Sequence, residues 1–174
     1  LTIVVLVLLY PPTAYSQVSE EIERDTVKKT YWISAGLGGS SLGSTGAPGG
    51  SGNVTATFRR GKNMLSVRST LNHHLSQKEG FYDVGLLYGN VLGDSEEVIF
   101  ALGGGVSVVN GWRELSDGDI IGTPAVLGLP LEAQLRWKLR DRFGLGIYAF
   151  SNINTEVNFY GLSLAVYVGK FERN

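Results

Sequence analysis

The chain has 174 residues, a formal net charge of −1 and no cysteine. That is enough for one domain, shows no basic excess of the kind nucleic acid demands, and excludes disulfides, thiolate zinc sites and a lipid-modified cysteine. Two histidines leave little scope for a histidine-rich metal centre, and 24 glycines, about twice the usual share of roughly 7%, argue for strands and turns rather than a helical bundle.

Residues 1–10 (LTIVVLVLLY) form an apolar run of signal-peptide length. It is shorter than the roughly 20 residues a spanning helix needs. Ala14 and Ser16 stand at the small-residue positions of a cleavage site, so residues 1–16 are predicted to direct export. The chain begins at Leu, and a basic n-region is expected upstream. Residues 17–29 are polar and predict a solvated lead-in.

From residue 30 to 171 eight strand-like segments follow: 31–38, 53–60, 63–72, 81–89, 97–110, two within 128–150, and 157–171. Most are β-branched or aromatic-rich and bounded by Gly, Asn, Asp or Ser. The connections alternate, tight at 60–62 and 140–142, longer at 39–52, 73–80, 111–124 and 151–156, and only the one at 90–96 blurs the pattern. This is the asymmetry of a membrane barrel with short turns at one end and loops at the other. The stretch at 39–52 reads as a long, exposed, low-complexity loop. Pro130 is the awkward residue, because a proline cannot donate to a ladder; it predicts a bulge or a strand that begins after it. Residues 172–174 are left as a tail.

In residues 128–150 apolar and ionic positions alternate, and periodicity alone does not say which face is outside. Aromatic placement is the arbiter. One set of strand ends collects Tyr31, Trp32, Phe58, Tyr88, Phe100, Trp137, Phe143, Tyr167 and Phe171. The other collects Phe81, Tyr82, Trp112, Tyr148, Phe150, Phe159 and Tyr160. Two girdles of this kind belong to a membrane barrel, whereas a soluble calyx would bury its aromatics. The ionic face then points inward, placing Arg68, Asp83, Glu132, Gln134, Arg136 and Lys138 in the lumen with Thr55, Thr57, Ser66 and Thr70. Eight strands enclose an interior that side chains fill. A packed ionic plug is therefore expected, and internal salt bridging rather than an ion path.

The stretch GLPLEAQLRWKL (128–139), the first strand ISAGLGG and the closing FYGLSLAVYVGKF resemble outer-membrane β-barrel domains of Bacteroidetes-type bacteria, and the general architecture resembles the small OmpA/OmpX barrels. The resemblance covers residues 30–171. It implies an all-β, eight-stranded antiparallel up-and-down transmembrane β-barrel in the bacterial outer membrane. Outer-membrane lipid and the barrel insertion machinery are the implied partners, and a monomer without cofactor is expected. One departure is the C-terminus: Phe171 is followed by ERN, out of phase with the apolar face Tyr160, Leu162, Leu164, Val166 and Val168.

Chemistry has few candidates. His74, Ser76 and Glu79 are the residue types of a serine hydrolase, and lipid A deacylases of similar fold carry a His-x-Ser pair with a glutamate on barrel strands. Here the glutamate follows the serine by three residues, a spacing that departs from that pattern, so a polar loop is the preferred reading. Residues 115–120 (LSDGDI) offer oxygen ligands for calcium but lack the longer acidic set of an EF-hand loop; a turn is expected. The glycine-rich stretches lack the lysine of a phosphate loop. The expected function is a non-enzymatic envelope anchor with surface loops for interaction. A lipid-modifying barrel enzyme, a soluble lipocalin-like binder and a narrow pore are the alternatives.

Overall fold

The computed structural model describes residues 29–43, 46–74, 78–95, 97–115 and 117–170; the expected export segment 1–16, most of the expected lead-in, Ser76, Phe171 and residues 172–174 lie outside them. Eight strands follow one another: β1 (Lys29–Leu42), β2 (Pro48–Arg60), β3 (Asn63–His74), β4 (Glu79–Asp94), β5 (Val98–Glu114), β6 (Ile120–Arg140), β7 (Phe143–Asn154) and β8 (Phe159–Lys170). Each pairs antiparallel with its sequence neighbours, and β8 returns to β1 from Tyr31↔Lys170 to Leu42↔Phe159, closing the barrel. Closure removes both edges of the sheet, so no row of unpaired N–H and C=O groups faces outward.

The alternation of the sequence becomes two opposite surfaces. Outward positions carry Ile33, Leu37, Val67, Leu86, Val106, Leu127 and Leu164, and Leu37 and Leu127 are each 78% exposed. Inward positions carry Ser34, Thr55, Arg68, Asp83 and Glu132, all buried. A water-soluble calyx would have the reverse arrangement, and an apolar band this continuous has no place on a soluble monomer.

Strands run further than their sequence pattern suggests. The stretch 39–52 is not a long loop. β1 and β2 stay in register from Lys29↔Arg60 to Ser41↔Pro48, leaving only residues 43–47 as the connection. Glycine supplies no apolar beat to read, yet its backbone joins a ladder as any other does. Likewise β5 and β6 pair as far as Glu114↔Ile120, and β4 and β5 enclose only residues 95–97. All connections are therefore short. Gly61, with φ +63°, takes the left-handed conformation that the two-residue β2–β3 turn demands.

Pro130 neither starts the strand nor carries the bulge. β6 begins ten residues earlier, and Pro130 lies inward in unbroken register with Asn152 of β7. On its other side the β5–β6 pairing skips from Gly104↔Leu131 to Ser107↔Gly128, so the missing donor falls in a gap in that ladder. The register shift sits higher, where two residues, Pro124 and Ala125, oppose Asn110.

Glycines admit the bulky lumen residues. A Cβ on Gly161 would stand 2.4 Å from the Phe150 ring, one on Gly111 2.6 Å from Phe81, and one on Gly146 3.0 Å from Tyr167. Gly105 is tighter still, since its Cβ would meet the Leu86 carbonyl oxygen at 2.0 Å. Backbone cannot yield as a side-chain tip can. Gly105→Ala should lower unfolding stability by about 1–3 kcal/mol. Gly50→Ala, where nothing lies within 4 Å, should leave it unchanged or raise it by about 0.4–1 kcal/mol. Denaturant unfolding in detergent or vesicles compares the two.

Candidate functional site: the lumen and its rims

Strand alternation delivers all six expected lumen residues to the interior: Arg68, Asp83, Glu132, Gln134, Arg136 and Lys138 are buried. They do not form one continuous ionic plug. At the centre the Arg68 guanidinium donates to the Asp83 carboxylate, and neither side chain is exposed. Arg68 also donates to the Leu131 carbonyl at 3.0 Å. Asn152 Nδ2 donates to Asp83 Oδ2 at 2.6 Å and to Ser107 Oγ at 2.8 Å. These bonds offset part of the cost of burying the pair, while Arg68 Nε and Asp83 Oδ1 stay buried without a hydrogen-bond partner.

Glu132 takes a different set of donors, Tyr148 Oη at 2.5 Å and Gln134 Nε2 at 3.2 Å. Arg136 lies one step nearer the turn end. Its guanidinium carbon stands 3.9 Å from the Trp32 ring centroid and 5.4 Å from that of Tyr167, so two aromatic faces stabilise the cation. Lys138 reaches the rim, where Nζ donates to Asp94 Oδ1 at 2.9 Å and to the Ser95 carbonyl at 2.8 Å. Arg59 Nη1 meets the other Asp94 oxygen at 2.6 Å. Asp94 thus joins two cations across the turn-side mouth. Burial opposes its ionisation, but the hydrogen bonds and charges of Lys138 and Arg59 outweigh this and hold its carboxyl below the ordinary value.

Toward the opposite end an apolar cluster stands beside buried Ser40, Asn72, His74 and Glu79. Leu42, Ala47, Phe81, Val109, Phe150, Val157 and Phe159 belong to one buried cluster, with Phe150 and Phe159 edge to face at 6.5 Å. Ala47 and Val157 come from the connections, so these fold inward over the mouth. The connections are stitched together: Gly43 N donates to Asn158 O, and Glu114 N to Lys78 O. Lys78 pairs with Glu114 at 2.5 Å, and Arg113 with Glu79 at 2.9 Å.

The girdles differ from expectation. Tyr31, Phe58, Tyr88, Phe100, Trp137 and Phe143 point outward at the turn end, and Tyr82 and Tyr160 at the other, where Trp112 lies half-buried over Gly80. Trp32, Phe81, Tyr148, Phe150, Phe159 and Tyr167 are instead inside the barrel. Phe171 lies outside the described residues. Nearness to a strand end says nothing of parity. Trp32 is in phase with Ser34, and Tyr148 with Phe150 and Asn152, and that odd–even phase would have assigned them to the lumen. The same phase marks Asn152 and Ser107, which sequence reasoning missed. Asp94 gave no signal, because its role depends on a turn that brings β2 and β6 side chains to it.

The candidate catalytic cluster is not assembled among the described residues. His74 and Glu79 face each other in the β3–β4 register, but Glu79 is held by Arg113. Neither ring nitrogen of the buried His74 has a hydrogen-bond partner; Ser76 is not described. At 117–119 the chain turns, with Leu115 N donating to Asp119 O at 2.7 Å and Gly118 at φ +88°. No group of three metal-ligating side chains occurs among the described residues.

The closed ring, apolar outside and polar within, defines the architecture of a small eight-stranded outer-membrane β-barrel. Three solved structures of that kind superpose on it. Neisserial surface protein A (NspA) has a TM-score of 0.66 at 19% identity, with 82% of this chain and 97% of that chain covered. Ail, the attachment invasion locus protein of Yersinia pestis, scores 0.61 at 12% identity, covering 82% and 99%. The N-terminal β-barrel domain of Pseudomonas aeruginosa OprF scores 0.62 at 11% identity, covering 80% and 96%. The likeness is to the general OmpA/OmpX-like architecture; no Bacteroidetes protein is among these three. No protein-family model matches the chain, and no curated protein does.

Two predictions follow from the lumen and its rim. Asp83→Ala strands a buried guanidinium and should cost about 3–5 kcal/mol, whereas Arg68→Met combined with Asp83→Leu should recover most of that loss; equilibrium unfolding of the three variants measures the coupling. For Asp94, a carboxyl held below its ordinary value stabilises the fold above the unfolded-state pKa, near about 3.9. That contribution is lost as pH falls through the lower folded value. The stability gap between parent and Asp94→Asn should therefore be open at neutral pH and close under strong acid.

Proposed function

We propose that the chain is an integral protein of the bacterial outer membrane, a monomeric barrel without enzymatic chemistry that anchors a compact surface-exposed rim. The observation that carries this reading is the direction of the two faces: leucines and valines outward, ionic pairs toward the axis. Lipid-facing Arg or Lys at mid-depth costs about 2–4 kcal/mol, and the buried cations here all turn inward. The polar centre and the apolar upper cluster fill the lumen, which favours an anchor over a narrow pore. The engagement of Glu79 by Arg113 favours it over a lipid-modifying enzyme. Export by the residue 1–16 segment, insertion by the barrel assembly machinery, and both strand termini on the periplasmic side complete the proposal.

Fractionation combined with gel electrophoresis of unboiled and boiled samples tests it. The protein should partition with outer membranes, resist SDS until heated, and change mobility on boiling. Recovery in the soluble fraction with identical mobility in both samples would overturn it. Planar bilayers should show no steady conductance.

A further inference from the structure

The charges of the barrel are sorted by end. At the turn end Arg60 and Lys62 flank the β2–β3 turn, Arg140 and Arg142 flank β6–β7, and Lys29 and Lys170 mark the β1–β8 seam; all six are exposed. Arg59 and Lys138 add two more cations, while the described acids at this end are Asp94, Glu97 and Asp141. At the other end the described cations are Lys78 and Arg113, outnumbered by Glu79, Glu114, Asp117, Asp119 and Glu156. A chain of net charge −1 therefore presents a basic ring at one mouth and an acidic rim at the other.

The ring also sits at a definite depth. Lys29 lies two residues from Tyr31, and Arg60 two residues from Phe58, on the same outward faces; Lys170 pairs with Tyr31 across the seam. Two residues of strand advance about 6–7 Å. The headgroup layer outside the hydrocarbon core is about 5–8 Å deep on each side. With Tyr31 and Phe58 at the edge of the acyl region, the cationic groups fall at the level of lipid phosphates, distributed around the barrel rather than gathered at one tip.

We propose that this ring selects anionic phospholipid headgroups in the leaflet it meets. The inference rests on the membrane-barrel reading above. The circumferential spread at phosphate depth favours lipid over an acidic polypeptide, which would be met by a patch projecting into water.

Electron spin resonance of the full chain reconstituted in phosphatidylcholine vesicles, probed with spin-labelled phosphatidylglycerol or phosphatidylcholine, is the test. A motionally restricted component should appear with both probes and favour phosphatidylglycerol by about 2- to 5-fold. The preference should collapse in about 1 M salt, where the Debye length shrinks to roughly 3 Å. It should vanish in Arg60→Gln/Lys62→Gln/Arg140→Gln/Arg142→Gln and persist in Arg60→Lys/Arg140→Lys/Arg142→Lys, each variant first shown to be folded by its heat-modified mobility. Equal restriction of the two probes by the parent, or a preference unchanged in the glutamine variant, overturns the proposal. So does capture of soluble polyglutamate by the detergent-solubilised parent without any lipid preference. Absence of a restricted component with either probe removes the membrane-barrel reading and this proposal together.

Discussion

The β8-to-β1 pairing is the constraint on which everything else depends. In hydrocarbon an unsatisfied backbone group costs several kcal/mol, and an open eight-stranded sheet would expose two full edges of them. The seam from Tyr31↔Lys170 to Leu42↔Phe159 closes both at once. Once the ring is closed, alternation acquires a fixed meaning: odd and even positions face two media, and every residue type must suit its side. Glu132 or Arg136 on the wrong phase would meet acyl chains; on the phase they have, they meet each other's neighbours.

A small ring also sets a packing problem. The interior is too narrow for bulky residues at every inward position, so large side chains are set against glycines on adjoining strands, as with Phe150 over Gly161 and Phe81 over Gly111. Charge is handled with similar economy. Arg68 is paired with a carboxylate, Arg136 lies against aromatic faces, and Lys138 meets Asp94 at the mouth. Each cation therefore has surroundings suited to its depth: a fully buried ion pair at the centre, π-faces one step nearer the turn end, and a partly solvated bridge at the rim.

The fold was legible because the barrel rewards a local property, period-two alternation, eight times over. Arg68, Asp83 and the ionic face of β6 could be assigned to the interior from that period and the cost of a charge in lipid. The aromatics were harder. Trp32, Tyr148 and Tyr167 lie close to neighbours that do face outward, and only their phase distinguishes lumen from girdle. Glycine-rich strand ends at 39–52 lacked any pattern to follow, since pairing there is enforced by the register established further down at Tyr31↔Phe58. The Asp94 bridge and the inward folding of Val157 depend on contacts between distant strands, and no local window contains them.

The stitched connections bear on how this face is recognised. Gly43 of the β1–β2 connection is tied to Asn158 of the β7–β8 connection, and Lys78, before β4, to Glu114 at the end of β5. At Gly43, Lys78, Glu114 and Asn158 the backbone is already hydrogen-bonded between connections or to a strand end, so a binder resting on these residues would have little backbone freedom to quench there. An insertion beside Gly43 or Asn158 would therefore disturb the bond between two connections as well as the surface a binder meets.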